Sequence, residues 1–487
     1  MDQETSGSAP DDDASAISFG TDGWRAQLEA FTAPRVRMVA QAVATTLRED
    51  GQSAPVVVGY DARETSRGFA EEVSRVLCAN GYDILLSERD RPTPLCAHAV
   101  VDRELSGAVV ITASHNPPSY NGIKFIPADG APALPGVMDA IADTLAEPQA
   151  LPEDDHGTVR EVDLVDDHAD ACLELVGSLV DAEPDSAFDA DDPSTLLEGV
   201  TIAYDAMHGS GRGTTDALLE RAGAEVTRLR CERDPDFGGG APEPAAENLE
   251  ALIEAVTEGN AALGVANDGD ADRVAIVTPG RGYLDENLFF AALYDSLLEG
   301  DSGPAIRTVS TTYLIDRVAA THGESVHEVP VGFKWVAQAM AEHDALVGGE
   351  ESGGFTVRGH VREKDGVLVA LLAAVMHAEE PIDDRVDRLL EAHGDVVQGK
   401  ISVPCPDDEK AAVLASLEDE IPETVAGTPV ADVNTADGFK LALEDGSWLL
   451  IRPSGTEPVL RVYAEAESKN RVEELCTAGE ELLEPLR

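Results

Sequence analysis

Ser114 lies in the run Thr112-Ala-Ser-His-Asn-Pro117, between the small Ala113 and His115, with Pro117 and Pro118 closing the segment. Prolines stop a helix from starting at once, so the hydroxyl is expected on a rigid, exposed loop, placed to act as a nucleophile. His115 and Lys124, the latter in Asn121-Gly-Ile-Lys124, supply protonatable or cationic groups nearby. A serine in an ordinary turn would bond its local backbone instead. The full six-residue run, entered directly from an apolar strand, is too specific for that reading.

A second run, Asp268-Gly-Asp-Ala-Asp272, alternates carboxylates with small residues. Such carboxylates can converge on one hard cation, and an all-oxygen set points to Mg²⁺. A calcium EF-hand loop would need Gly at its sixth position and Glu at its twelfth. Arg273 and Pro279 stand there, which excludes it. Asp270-Ala-Asp-Arg-Val274 also resembles the motif of haloacid-dehalogenase-type phosphohydrolases, in which the first Asp (here Asp270) is the nucleophile; Asp268 and the separate serine loop place that reading second. Arg452-Pro-Ser-Gly-Thr456 puts a guanidinium fork, two hydroxyls and a glycine on one turn, a set suited to cradling a phosphate. Gly349-Glu-Glu-Ser-Gly-Gly354 offers carboxylates and a hydroxyl that could grip sugar hydroxyls.

The elements that must position these runs alternate between strand and helix. Strands are expected at Pro55–Gly59, Tyr82–Leu86, Gly107–Ile111, Val200–Tyr204, Leu263–Ala266, Ile306–Ser310 and Ala345–Gly348. Helices are expected at Arg67–Asn80, Thr214–Ala222 and Tyr313–His322. This βαβ rhythm predicts parallel, doubly wound sheets. Their ligands bind beyond the carboxyl ends of the strands, where the serine, aspartate and glutamate runs fall. Glu147–Asp167 and Asp181–Glu198 read as loops. From about Gln398 the strands Lys400–Pro404, Lys440–Leu443 and Trp448–Ile451 lack crossover helices, which predicts an antiparallel α+β unit.

The chain of 487 residues carries 93 acidic and 35 basic side chains, a formal charge of −58. Its 43% hydrophobic content is enough for several packed cores. The acidity is spread along the whole sequence, and only seven of the basic residues are lysines. Such a surface repels nucleic acid and anionic membranes, so neither is expected as a partner. It suits a salt-filled cytoplasm, where the Debye length falls to about 3 Å and self-repulsion is screened. A halophilic host and a cytoplasmic protein follow as expectations. The six cysteines are scattered, so neither a disulfide framework nor a zinc site is expected.

Together the four runs resemble the α-D-phosphohexomutase family, the phosphoglucomutases and phosphomannomutases, from Phe19-Gly-Thr-Asp-Gly-Trp-Arg25 to Arg452-Pro-Ser-Gly-Thr-Glu-Pro458. The resemblance implies an α/β protein with three related doubly wound domains and a C-terminal α+β domain around a central cleft. The expected division is an acidic tail over 1–17, then domains over 18–161, 162–282, 283–396 and 397–487. It further implies that Ser114 carries a phosphoryl group in the resting enzyme. Asp268, Asp270 and Asp272 would hold one Mg²⁺ with a phosphoserine oxygen. Arg25, His115 and Lys124 would lie at the reacting atoms, with the general base unassigned among them. Glu350, Ser352 and the second loop Gly332-Phe-Lys-Trp335 (Gly332, Phe333, Lys334) would read the sugar. Arg452, Ser454, Gly455 and Thr456 would bind the non-reacting phosphate, with Arg461 beside them. The implied reaction interconverts hexose 1-phosphate and hexose 6-phosphate through a hexose 1,6-bisphosphate, in a monomer or homodimer. The Glu-Glu-Ser of the sugar loop is closer to phosphoglucomutases than the Glu-Met-Ser of dual mannose/glucose enzymes or the Glu-Gln-Ser of glucosamine mutases. It favours glucose phosphate over mannose or glucosamine phosphate. Asp22, where many relatives have Ser, and Trp24 depart from the family pattern.

Overall fold

Three sheets share one four-strand plan. In the first, β1 (Val56–Tyr60), β2 (Ile84–Ser87), β3 (Gly107–Ile111) and β4 (Tyr120–Pro127) lie in the order β4-β3-β1-β2. β5 (Thr201–Asp205), β6 (Glu225–Leu229), β7 (Leu263–Asn267) and β8 (Val274–Thr278) repeat it as β8-β7-β5-β6. β9 (Ala305–Thr308), β10 (Val326–Val329), β11 (Val347–Gly349) and β12 (Phe355–Val357) repeat it again as β12-β11-β9-β10. These elements come from a computed structural model that describes residues 14–20, 23–181, 192–455 and 457–486. The acidic tail, apart from residues 14–17, lies outside the described residues, as do Asp22 and Thr456.

In each sheet the first three strands are parallel and the fourth returns antiparallel to the third. The sheets are therefore mixed rather than wholly parallel. The reason lies in the motif loops themselves. A short polar loop can reverse the chain into an antiparallel partner, whereas a parallel return needs a crossover of a dozen or more residues. The serine run joins β3 to β4, the aspartate run β7 to β8, and the glutamate run β11 to β12, so three sequence motifs occupy one topological position.

The stretch expected to be a loop over Glu147–Asp167 contains a strand, Val159–Val162, that adds to the first sheet parallel to β2. It then enters the helix Val165–Asp181. Within the C-terminal unit, six antiparallel strands run in the order Val397–Pro404, Val459–Ala466, Trp448–Pro453, Phe439–Leu443, Thr428–Asn434, Thr424–Val425. The α+β reading stands, but a helix, Asp407–Asp419, does separate its first strand from the others.

One face of the first sheet has its own core, around Trp24, Val58 and Ile111. Its other face shares a continuous core with the second and third sheets. The helix Gly366–Glu379 is apolar all round and buried from Gly366 through Met376, as a helix enclosed on every side must be. The C-terminal unit docks on the third sheet through Lys440. Its ammonium lies 2.6 Å from Glu328 Oε2, between the rings of Tyr313 and Trp448. Among the described residues no helix is long and apolar enough to cross a membrane.

Candidate active site

The Ser114 hydroxyl is not exposed, as the sequence suggested, but 1% accessible. It is covered because the aspartate loop of the second sheet closes over it. Ser114 Oγ donates to Asp268 Oδ2 at 2.7 Å and lies 3.4 Å from His115 Nδ1. Ser114 and Ala271, one in each loop, both have positive φ, 50° and 52°. That conformation is costly for residues with a Cβ and accumulates at functional sites. The loops approach so closely that a Cβ on Gly269 would stand 2.6 Å from the Ser114 carbonyl oxygen.

Arg63 holds the serine loop from beneath. Its guanidinium donates to the carbonyls of Ser114 (2.8 Å), Asn116 (2.6 Å), Pro117 (2.7 Å) and Tyr120 (3.2 Å). Its Nε pairs with Asp61 at 2.9 Å. Both charges are buried, so the pair fixes the loop's backbone by a fan of charge-assisted bonds.

The three carboxylates form one cluster whose ligand atoms all lie within 4.8 Å of one another. Thr93 anchors it from the first domain, bonding the Asp270 carbonyl through its N–H (2.9 Å) and Asp270 Oδ2 through its hydroxyl (2.7 Å). Lys124 Nζ sits 3.0 Å from both Asp270 Oδ2 and Asp272 Oδ2, and Lys364 Nζ lies 3.3 Å from Asp272 Oδ2. Burial, then Asp272 and Asp270, push the Asp268 carboxyl well above its ordinary range. Burial acts the same way on Asp272, but Lys124, Lys364 and Arg273 outweigh it and hold that carboxyl low. Two buried oxygens, Asp270 Oδ1 and Asp272 Oδ1, have no hydrogen-bond partner. Orphaned acceptors on a carboxylate cluster fit a divalent cation.

Arg273, burial and Arg25 lower His115 to about 2, with Lys124 adding to them against the pull of Asp272, so the imidazole is neutral. Arg25 Nη1 reaches Asn116 Oδ1 at 3.4 Å. The two runs expected to read a sugar are bonded to each other, since Gly332 N–H donates to Glu350 Oε1 at 2.8 Å. Phe333 lies under Lys364, and Lys334 stacks near Trp335. Ser352 is half-buried on the Glu350 turn. Arg452 Nε bonds Asp437 Oδ2 at 2.9 Å, and the same oxygen accepts the Val331 N–H at 3.2 Å. The Arg452 turn thus meets the turn before Gly332 through one shared carboxylate. Ser454 and Glu457 carbonyls are clamped by Lys410, Gly455 is exposed, and Arg461 pairs with Glu457 and Ser402.

Sequence reading missed Arg63, Thr93, Arg273 and Lys364. Arg63 had a signal, because Asp61-Ala-Arg63 sits at the carboxyl end of β1. Lys364 had a weaker one, as one of seven lysines.

Four family models match the chain: phosphoglucomutase/phosphomannomutase alpha/beta/alpha domain I over residues 16–151, domain II over 182–282, domain III over 285–393, and the C-terminal domain over 401–481. A chain of Methanothermobacter thermautotrophicus described as a phosphoglucosamine mutase is 32% identical, over 93% of this chain and 94% of that one. A phosphoglucomutase/phosphomannomutase of Thermococcus kodakarensis is 30% identical, over 96% of this chain and 98% of that one. The crystal structure of a Thermus thermophilus protein described as a phosphomannomutase superposes with a TM-score of 0.79, 30% identity and coverage of 96% and 99%.

Proposed function

This chain belongs to the phosphoglucomutase/phosphomannomutase family, and we propose that it interconverts glucose 1-phosphate and glucose 6-phosphate with Ser114 as phosphoryl carrier. It is an isomerase, a phosphohexomutase acting by intramolecular phosphoryl transfer. The observation that carries the rest is the 2.7 Å contact between Ser114 Oγ and Asp268, inside a cluster of three buried carboxylates.

A serine hydroxyl set against the carboxylate cluster supports Ser114 as the carrier over an Asp270 nucleophile. Lys124, Lys364 and Arg273 lie among the three carboxylates. A phosphoryl dianion on Ser114 then calls for about two further positive charges. Asp268, Asp270 and Asp272 would hold Mg²⁺ with a phosphoserine oxygen, and that ion would neutralise charge on the transferring group. His115 Nδ1 lies 3.4 Å from the serine oxygen, and a dianion beside it would raise its basicity by offsetting Arg273 and Arg25. Glu350 and Ser352 would orient the sugar, and Arg452, Ser454, Gly455 and Thr456 the distal phosphate. With both ends held, positioning supplies much of the rate, as phosphoryl transfer requires. The sugar's free terminal hydroxyl takes the group from Ser114, giving a 1,6-bisphosphate, which turns over and returns its other phosphate. No finding supports an Asp270 nucleophile.

Glucosamine phosphate is the second reading. Glu351 lies within the Gly349–Gly354 run and Glu286 packs against its Gly353, and a carboxylate at Glu351 would favour an amino sugar's ammonium. A coupled assay with glucose 1-, mannose 1- and glucosamine 1-phosphate, in molar KCl with Mg²⁺ and bisphosphate primer, ranks these substrates. Turnover of none would overturn the proposal.

A further inference from the structure

We propose that His168, Cys172, His360 and Asp365 form a second metal centre, for one tetrahedral transition-metal ion of the zinc class, remote in sequence from the aspartate loop. Their ligand-capable atoms all lie within 4.8 Å of one another. His168, Cys172 and Asp365 are 0% exposed, and the His360 side chain is 2% exposed. His168 and Cys172 stand four residues apart on the helix Val165–Asp181, hence on one face. Asp365 caps the helix Gly366–Glu379, its Oδ1 accepting the N–H groups of Val367 and Leu368 at 2.9 Å each. That leaves Oδ2 aimed at both imidazoles, 2.6 Å from His168 Nε2 and 2.7 Å from His360 Nε2.

The distances suit an ion once the Cys172 side chain turns: its Sγ lies over the His168 ring, 3.7 Å from both ring nitrogens. Bonds of about 2.0 Å to nitrogen and 2.3 Å to sulfur at a tetrahedral angle separate those atoms by roughly 3.5 Å. The two N···O contacts would open by about half an ångström as the ion replaces the shared protons. Two imidazoles, a thiolate and a carboxylate are borderline-soft ligands, unlike the all-oxygen aspartate loop.

The ligand charges suit the same ion: with imidazoles as neutral ligands, and carboxylate and thiolate as the anionic ones, a divalent ion makes the bound cluster neutral. The thiol proton passes to solvent, and each neutral ring shifts its proton from Nε2, where it faces Asp365, to Nδ1, so one proton leaves per ion bound. His98 packs over both rings, with centroids 5.4 and 5.9 Å away. His168 and Asp365 are 197 residues apart, which is why spacing alone gave no hint of the site. An ion there would staple the helix after the first sheet to the third domain.

The test uses the full chain in molar KCl, stripped with a chelator and titrated with Co²⁺ in excess Mg²⁺, which keeps the aspartate loop occupied. One equivalent should bind with tetrahedral d–d bands and a thiolate-to-cobalt charge-transfer band, releasing one proton. Cys172→Ser should abolish the charge-transfer band and weaken binding at least tenfold. Asp268→Asn should leave both bands intact. Far-UV circular dichroism checks that each variant folds. Absence of Co²⁺ uptake, an octahedral spectrum, or a charge-transfer band that survives Cys172→Ser would overturn the proposal.

Discussion

The Ser114 hydroxyl and the Asp268 carboxylate meet at 2.7 Å although 154 residues and two separate sheets divide them. Each sits in the loop between the third and fourth strands of its own four-strand unit, so the contact joins two copies of one topological position. The pairing depends on backbone held from beneath and on a glycine that lets the loops touch.

Arg63 is the support from beneath. Arg63→Lys keeps a charge beside Asp61 but loses most of the fan to the serine-loop carbonyls. It should lower kcat by about 10- to 100-fold with KM changed less than about threefold. Arg63→Ala strands a buried Asp61 and should cost about 3–5 kcal/mol of stability. Steady-state kinetics and chemical denaturation check both, and an unchanged kcat in Arg63→Lys would remove the positioning role.

Gly269 is where the loops touch. Gly269→Ala puts a methyl 2.6 Å from the Ser114 carbonyl and should force the serine and aspartate loops apart at about 1–3 kcal/mol. Activity should fall by at least about tenfold, with divalent-cation affinity falling alongside. Calorimetric Mg²⁺ binding reads the second effect, and wild-type affinity would contradict the geometry.

Glu286 titrates near neutrality. Burial raises its carboxyl to about 7, opposed by the Tyr283 hydroxyl and a backbone bond, with Asp285 and Glu351 adding to the rise. A carboxyl whose folded value exceeds its unfolded one favours folding below pH 4.5, and that contribution is lost as pH rises through 7. Glu286→Gln should therefore be near neutral at pH 4.5 and stabilising by about 1–3 kcal/mol at pH 8. Denaturation at the two pH values checks it, and a pH-independent difference would refute the assignment.

How much was legible in sequence varied by residue. The three motif loops were readable because each follows a short apolar strand and carries its chemistry in consecutive residues. Arg63, Thr93 and Lys364 were not, because their partners arrive from other loops and only folding brings them together. The burial of Ser114 was missed for the same reason, since the covering loop is the aspartate run itself. The all-apolar helix Gly366–Glu379 shows why a core shared by three sheets was not foreseen: periodicity reports that a helix is buried, not which sheets bury it.

The charge of −58 predicts dependence on salt. Dialysis from molar KCl to dilute buffer should remove the native circular dichroism signal and activity together, because like charges then interact over about 10 Å or more instead of about 3 Å. Full retention of both in dilute buffer would contradict a halophilic origin for the acidity.

The most direct test of the central claim follows the phosphoryl group. The chain is incubated with radiolabelled glucose 1,6-bisphosphate and Mg²⁺ in molar KCl, then mapped by peptide mass and chased with unlabelled glucose 1-phosphate. The label should lie on Ser114, resist hydroxylamine, pass into hexose phosphate on the chase, and be absent in Ser114→Ala. A label on Asp270 cleaved by hydroxylamine, or one released as inorganic phosphate instead of passing to sugar, would contradict the account.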